Sequence, residues 1–330
     1  MKEQHILVVG GAGYIGAHVT CALLDRGLRV VVCDNFSTGF RRLVMPGVEL
    51  AEGNLGDSAF LRRLFQDYDI AAVMHLAAFS IVPESVGHPM KYYENNVANT
   101  LHLLEAMRAA GCPHFILSST AAVYGEPERV PIHEEDPKAP TNPYGTTKLV
   151  LEGALADLEA AGILKSVSLR YFNAAGADPQ LRCGEMHDPE THLIPIILQA
   201  AAGERKGVKI FGSDYATPDG SCVRDYVHVT DIAAAHLLAY DHLQGGNPGD
   251  AFNLGSGNGF SVREVIDTVK RVTGRQFGVN EVDRRQGDPA VLVASSDKIR
   301  DRLGWRPEHT SMETIVETAW NWHLKLTAGA

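Results

Sequence analysis

"HILVVGGAGYIGAHVTCALLDRG", residues 5–27, decides how the rest of the chain is read. Residues 6–9 are an uninterrupted apolar run, glycines stand at 10, 11, 13 and 16, and apolar side chains then recur at helical spacing. A strand buried on both faces reads as such a run, and a helix begins where the 3.6-residue period takes over. Between them, Gly10, Gly13 and Gly16 permit a tight turn, a close approach of backbone N–H groups to a pyrophosphate, and close packing of helix on strand. A glycine pattern alone is an ordinary turn in many proteins. Here "RVVVCDN" (29–35) ends a second strand on Asp34, whose carboxylate suits the two hydroxyls of an adenosine ribose and repels the extra phosphate of NADP. Arg41 and Arg42 read as solvated positions at a helix start, not as a clamp for that phosphate. The expectation is a dinucleotide site that takes NAD.

Outward from this turn, "VELAE", "AAVMHL", "HFILSS" and "KSVSLRY" are further strand-like runs separated by helical text. Alternation of this kind predicts an α/β fold, a Rossmann-type doubly wound parallel sheet with crossover helices. After about Ala175 the text changes to a long polar loop, a helix near 193–203, and short strands mixed with helices at 261–273 and 311–326. The expected division is 1–175 for the NAD-binding domain and 176–330 for a second, smaller mixed α/β domain, closely packed around a shared cleft.

Composition narrows the functions. At 330 residues, 45% apolar and 21% charged, the chain suits a globular protein of one large or two smaller domains. A formal charge of −10, from 40 acidic and 30 basic residues, gives no broad footprint for nucleic acid or an anionic membrane. The amino terminus lacks the pattern of a cleavable signal, and no segment has transmembrane length. Five scattered cysteines without a CxxC pair fit reduced thiols and a cytoplasmic location. Cys183, His187 and His192 are the nearest approach to a metal cluster, but their gaps do not match a structural zinc site, so no metal is expected.

"NPYGTTK" (142–148) opens a helix if Asn142 caps it and Pro143 fills its first position, where a missing N–H costs nothing. Tyr144 and Lys148 then share a face. "HFILSSTAAVYG" ends a strand near Ser118, at the carboxyl edge where open parallel sheets place ligands. Together with the glycine turn, Asp34, "HLAA" (75–78) and "NNV" (95–97), these segments resemble the extended short-chain dehydrogenase/reductase family. The resemblance extends over nearly the whole chain and is greatest to the branch acting on C4 of UDP-hexoses, through "EGNLGD", "YYENNV", "LRYFNAAGA", "THLIP", "DGSCVRDYVHV", "NLGSG" and "RRQGDPA".

The resemblance implies interconversion of UDP-galactose and UDP-glucose with tightly bound NAD, in a homodimeric enzyme of the cytoplasm. Tyr144 would be the base, Lys148 its electrostatic support, and Thr120 the hydrogen-bonding partner of the reacting hydroxyl. A phenol titrates near 10, so action at neutral pH requires about 4 kcal/mol; a unit charge about 4 Å away at an effective dielectric of about 20 supplies about that much. Carried over with the cofactor site are Gly10, Gly13, Tyr14, Ile15, Gly16, Asp34, Asn35, Asn54, Leu55, Leu76, Ala77, Ala78, Ser80, Asn95, Ser118 and Phe172, besides Tyr144 and Lys148. The sugar-nucleotide site would take Asn173, His192, Leu193, Phe211, Arg224, Arg285, Asp288 and Leu292, with the arginines on the diphosphate and Asp288 on the uridine or its ribose. Asn54 replaces a frequent aspartate whose bond to adenine an amide oxygen can also accept. Ser80 replaces a lysine of some members, which removes one phosphate contact. Leu292 matches a size gate beside the sugar's 2-substituent, and implies little activity on N-acetylated sugars. Dehydratases and decarboxylases of the family usually carry an acid after the strand-five hydroxyl, where this chain has Ala121 and Ala122. Other readings are a 4-epimerase of N-acetylated or pentose UDP-sugars and a non-catalytic NAD-sensing protein.

Overall fold

The structure, a computed structural model, describes residues 3–285 and 288–328. In chain order its strands are β1 (Gln4–Val9), β2 (Val30–Asp34), β3 (Glu49–Glu52), β4 (Asp69–His75), β5 (His114–Thr120), β6 (Lys165–Tyr171), β7 (Asn173–Ala175), β8 (Gly207–Phe211), β9 (Val223–His228), β10 (Asp250–Leu254), β11 (Gly259–Ser261), β12 (Gly278–Val282) and β13 (Val291–Leu292). Seven of them form the main sheet in the order β10-β6-β5-β4-β1-β2-β3, and every pairing is parallel. The order reverses at β1, so a crevice opens at the carboxyl ends of β1 and β4, the usual ligand position in such sheets.

β1 shows why the run at 6–9 is apolar without interruption. Ile6 and Val8 enter one core with Val19 and Leu23 of helix Tyr14–Asp25. Leu7 and Val9 enter the opposite core with Leu103 and Met107 of helix Asn99–Ala110 and Leu151 and Leu155 of helix Pro143–Ala160. Side chains alternate across a strand, and both faces here are covered by helices. Each such fully buried aliphatic side chain contributes about 1.5–3 kcal/mol.

The later residues form a four-stranded sheet, β11-β9-β13 with β7 beside β9, and a two-stranded pair, β12 and β8. Helices Leu193–Ala201, Val262–Thr273 and Met312–Ala328 cover them in a separate apolar core that includes Ile197, Val265, Ile266 and Ile315. A capping box between Ser261 and Glu264 starts the second of these helices.

A division at residue 175 does not follow the sheets. Helix Val229–Gln244 packs Ile232, Ala235 and Leu243 into the core of the main sheet, and β10 pairs with β6 from Asp250↔Val167 to Leu254↔Tyr171. The physical reason is the outer edge of β6, which would otherwise present unpaired backbone groups and the buried side chains of Val167 and Leu169. The chain therefore leaves the first unit, begins the second, and returns before finishing it.

Candidate active site

The cofactor side is assembled mostly from backbone. Gly10 has φ 82°, and a Cβ there would lie 2.6 Å from the Ala77 nitrogen; a methyl on Gly16 would run into the Gly10 carbonyl oxygen. The amides of Leu76 and Ala77 both donate to the Val9 carbonyl, at 2.8 and 3.0 Å, and the Gly10 amide donates to the Cys33 carbonyl at 2.8 Å. These bonds stitch the ends of β1, β2 and β4 into one rim. Helix Tyr14–Asp25 begins at Gly13 with no side-chain cap and no acid in its first turn. Its first amides and the positive end of its dipole thus suit an anion. Asp34, buried at the end of β2, accepts the Ala12 amide at 3.0 Å and the Phe36 amide at 2.8 Å. Arg41 pairs with Glu52 at 2.5 Å and lies over the Phe36 ring at 4.2 Å, as expected of a surface residue, though in a short 3-10 turn rather than at the start of a long helix. The cradle that added Cβ atoms would fill, the uncapped helix and the acid at β2 fit NAD.

The other expected cofactor residues line or back this rim. Ile15 packs against the main core, and the Tyr14 hydroxyl donates to the Gly176 carbonyl at 2.7 Å, joining the turn to the second unit. Asn35 accepts the Ser37 amide at 3.0 Å, and Asn54 accepts the Gly56 amide at 2.8 Å. Leu55 sends its side chain into the core, so only its backbone is left for a ligand. Ala78 is half-buried and Ser80 exposed. Asn95 is half-buried and donates to Asn96 at 2.9 Å. Asn96, which the motif "NNV" contains but whose role spacing does not reveal, is the structural one of the pair: its carboxamide accepts the Phe79 amide at 2.9 Å and donates to the Phe79 carbonyl at 3.0 Å and the Thr147 hydroxyl at 3.3 Å. It clamps the segment after β4 onto the helix of Tyr144 and Lys148. The doubled asparagine was the available signal, and the π-helical turn Tyr93–Ala98, not predictable from spacing, decides which of the two faces inward.

At the edge of β5, helix Pro143–Ala160 starts as its sequence requires, with Asn142 accepting the Gly145 amide at 2.9 Å and proline in the first turn. Thr120, the last residue of β5, accepts the Ala122 amide at 3.1 Å. Burial pushes the Tyr144 phenol above its ordinary range, while a hydrogen bond with Thr120 acts in the opposite sense. Lys148 is fully buried and its Nζ donates to the Ser118 carbonyl at 2.7 Å. Burial lowers it to about 8, with Glu152 opposing. One turn beyond Lys148, Glu152 accepts the Ser119 hydroxyl at 2.6 Å and pairs with Arg170 at 2.6 Å; Arg170 also donates to the Tyr124 hydroxyl at 2.7 Å. Nothing local in the sequence joins Glu152 to Arg170, which meet only because helix Pro143–Ala160 crosses β6.

The region expected to take the sugar nucleotide is built from side chains. Arg224 of β9 donates to the Val223 carbonyl at 2.8 Å and pairs with Asp288. The Arg285 guanidinium lies 3.9 Å above the Phe211 ring. Leu292 is registered against Arg224, and with Phe172 it covers the small cluster of Val123, Tyr124 and Ile132 just behind Thr120. Asn173 donates to the Asp225 carbonyl at 3.2 Å. His192 stands at the N-cap position of helix Leu193–Ala201, of which Leu193 is the first residue, without a side-chain capping bond; its ring instead faces Glu190 at 2.9 Å and Glu185 at 3.0 Å. Of the "RRQGDPA" motif, Gln286 and Gly287 lie outside the described residues. The structure thus brings Arg224, Asp288 and Leu292 together, joins Arg285 to Phe211, and occupies His192 with carboxylates.

A parallel sheet with a glycine turn, an acid after its second strand and a Thr-Tyr-Lys constellation at its edge defines a nucleotide-dependent enzyme class. Residues 6–255 match the NAD dependent epimerase/dehydratase family, and the chain belongs to that family, with NAD as its cofactor. Among its relatives, a UDP-glucose 4-epimerase of Lacticaseibacillus casei is 51% identical over 318 residues, 96% of each chain. A solved structure of a UDP-glucose 4-epimerase superposes with a TM-score of 0.97 at 50% identity, over 99% of each chain. The UDP-glucose 4-epimerase of Brucella ovis in complex with NAD gives a TM-score of 0.94 at 46% identity, over 96% of this chain and 98% of that one.

Proposed function

We propose that the chain interconverts UDP-galactose and UDP-glucose by oxidising the hexose at C4 and returning hydride to the opposite face of the 4-keto sugar. The observation that carries this reading is geometric: Thr120 ends β5 while Tyr144 and the buried Lys148 share the first turns of helix Pro143–Ala160, whose Lys148 Nζ donates to the Ser118 carbonyl at 2.7 Å on that same strand. Bound NAD supplies the acceptor, and then the donor, of the hydride. Tyr144 takes the proton of the 4-hydroxyl and later restores it, while Thr120 holds that oxygen. Lys148, anchored on Ser118 and buried, places a cation beneath the reacting edge. The phenol then needs less help from its own surroundings, because a positive charge favours the phenolate. Gly10, Gly13 and Gly16 receive the NAD pyrophosphate, and Asp34 its adenosine ribose.

Arg224 and Arg285 hold the UDP pyrophosphate and Asp288 the uridine ribose, with Asn173, Leu193, Phe211 and Leu292 around the sugar nucleotide. A tight grip on UDP and a loose one on the hexose lets either face of the ring reach the same hydride site. Ala121 and Ala122 follow Thr120 and cannot move protons, which disfavours dehydration. Leu292, backed by the cluster around Tyr124, limits room at the sugar's 2-substituent. The exposed apolar side chains Tyr93, Leu101 and Val150 lie on and beside two helices of the first unit, a face suited to homodimerisation. A cytoplasmic location agrees with five free, buried cysteines. No helix among the described residues is long and apolar enough to cross a membrane.

The test is to give the purified protein UDP-galactose without added NAD. UDP-glucose should accumulate to equilibrium, with retained NAD seen on denaturation. A protein that releases NAD but yields no UDP-glucose would be a binder, and a dehydrated product would point to the other branch of the family.

A further inference from the structure

Glu185, His187, Glu190 and His192 occupy one loop between β7 and helix Leu193–Ala201, in the spacing E-x-H-x-x-E-x-H. One donor atom from each lies within 4.8 Å of all the others. The nitrogen-to-oxygen separations are 3.3 Å for His187 to Glu185, 3.6 Å for His187 to Glu190, 3.0 Å for His192 to Glu185 and 2.9 Å for His192 to Glu190. A tetrahedron with bonds of about 2.0–2.1 Å has edges of about 3.3 Å; the two edges from Glu185 Oε1 lie near that length, while Glu190 faces His187 through Oε2 and His192 through Oε1 and would present one of them to an ion. Both acids are enclosed, their side chains only 10% and 6% exposed. His187 Nδ1 is buried without a satisfactory hydrogen bond.

The surroundings already orient the donors. Glu190 accepts the Thr191 and His192 amides, each at 2.8 Å, which fixes its carboxylate. The Glu185 carbonyl accepts Trp322 Nε1 at 3.1 Å, tying the loop to the last helix. The His187 ring meets Tyr14 edge-on at 6.3 Å between centroids, tying it to the glycine-turn helix. Outer contacts of this kind set the direction of first ligands. Cys183, grouped with the histidines on spacing alone, faces Cys21 at 3.6 Å and stands apart from them.

We propose that Glu185, His187, Glu190 and His192 bind one divalent cation of the zinc class. Two carboxylates and two neutral imidazoles balance a charge of +2, whereas without a cation the same balance requires two imidazolium rings with centroids 4.6 Å apart. Imidazole donors disfavour calcium and magnesium, and a four-donor N2O2 set suits zinc or cobalt. The cation replaces the two imidazole protons and leaves no charge behind. It rivets the loop into one piece up to the start of helix Leu193–Ala201, and His192 is thereby a ligand rather than a free sugar-contacting side chain.

Chelator-dialysed full-length protein with its retained NAD should be titrated with Co2+ and then Zn2+. One Co2+ per chain should give the intense visible bands of a tetrahedral site, and one equivalent of Zn2+ should abolish them and raise the thermal midpoint. His187→Gln and Glu190→Gln should each weaken Zn2+ binding by more than about a hundredfold. Absence of a tetrahedral spectrum in the unsubstituted protein, or Zn2+ binding that neither substitution changes, would overturn the site and leave two His–Glu ion pairs. If a variant fails to fold, the spectrum and the Zn2+-dependent midpoint of the unsubstituted protein decide alone.

Discussion

The two ligand-facing regions are made of different materials. Around the glycine turn the groups are backbone amides and an acid already satisfied by two of them, Ala12 and Phe36, with no long side chain in the cradle. Around β9 and β13 they are an arginine paired with an aspartate and a second arginine resting on a phenyl ring. A backbone cradle has little freedom to lose on binding, whereas paired long side chains must separate and be reordered. The difference teaches that, under the reaction proposed above, the cofactor grip is preorganised and the sugar-nucleotide grip is not, which would let one molecule keep its cofactor while exchanging substrate in each cycle.

The severest way to break this contrast is to remove chemistry while leaving both grips intact. Tyr144→Phe should lower turnover of UDP-galactose by on the order of 10²–10⁴ while the protein still carries NAD, measured by product formation and by cofactor released on denaturation. Near-normal turnover would exclude the phenol as the base. The next largest effect should come from Gly16→Ala, since the added methyl meets the Gly10 carbonyl oxygen. Overpacking a rigid rim costs about 1–3 kcal/mol, and the variant should leave gel filtration largely free of NAD. Retention of stoichiometric NAD would show that the cradle is softer than its backbone construction implies.

The side-chain region should fail more gently. Arg224→Gln should raise KM for the UDP-sugar by about 10- to 100-fold, the value of one charge-assisted hydrogen bond, with kcat changed much less. A fall in kcat at constant KM would mean that the arginine acts in the transition state.

The mildest and most local test is acid. His18 is lowered to about 4, His75 to about 3, and His236 to about 4, in each case chiefly by burial. Unfolding restores a value near 6.5, so between about pH 6.5 and pH 4 the unfolded chain binds more protons and stability falls as pH falls. The slope is about 1.4 kcal/mol per pH unit for each histidine that titrates only when unfolded. These three belong to the unit of the main sheet, while His228 of β9, lowered to about 3 chiefly by burial, adds a fourth in the other sheet. Hydrogen exchange should accelerate around all four upon acidification, and His75→Gln should flatten the slope of the denaturant midpoint against pH. A steeper slope in that variant would contradict the assignment.

Local text revealed most of the first region. The glycine turn, Asp34 at the end of β2, and the capped helix of Tyr144 and Lys148 each depend on neighbours within a few residues, where period, capping and turn chemistry operate. What escaped depends on distant encounters. β10 reads as a short apolar strand like any other, and only the uncovered flank of β6 explains where it goes. Glu152 meets Arg170, and Asn96 meets Phe79 and Thr147, through crossings that no spacing encodes. The quartet at 185–192 is hidden differently: spacing shows the histidines and sets Cys183 beside them, whereas the folded loop supplies Glu185 and Glu190 instead.

The late return of β10 also bears on synthesis. About 80 residues separate the end of β6 from the strand that flanks it, which at ribosomal speeds of about 5–20 residues per second is roughly 4–16 s of elongation. Throughout that interval the nascent chain carries an incomplete sheet, and its open flank must be shielded until translation delivers the closing segment.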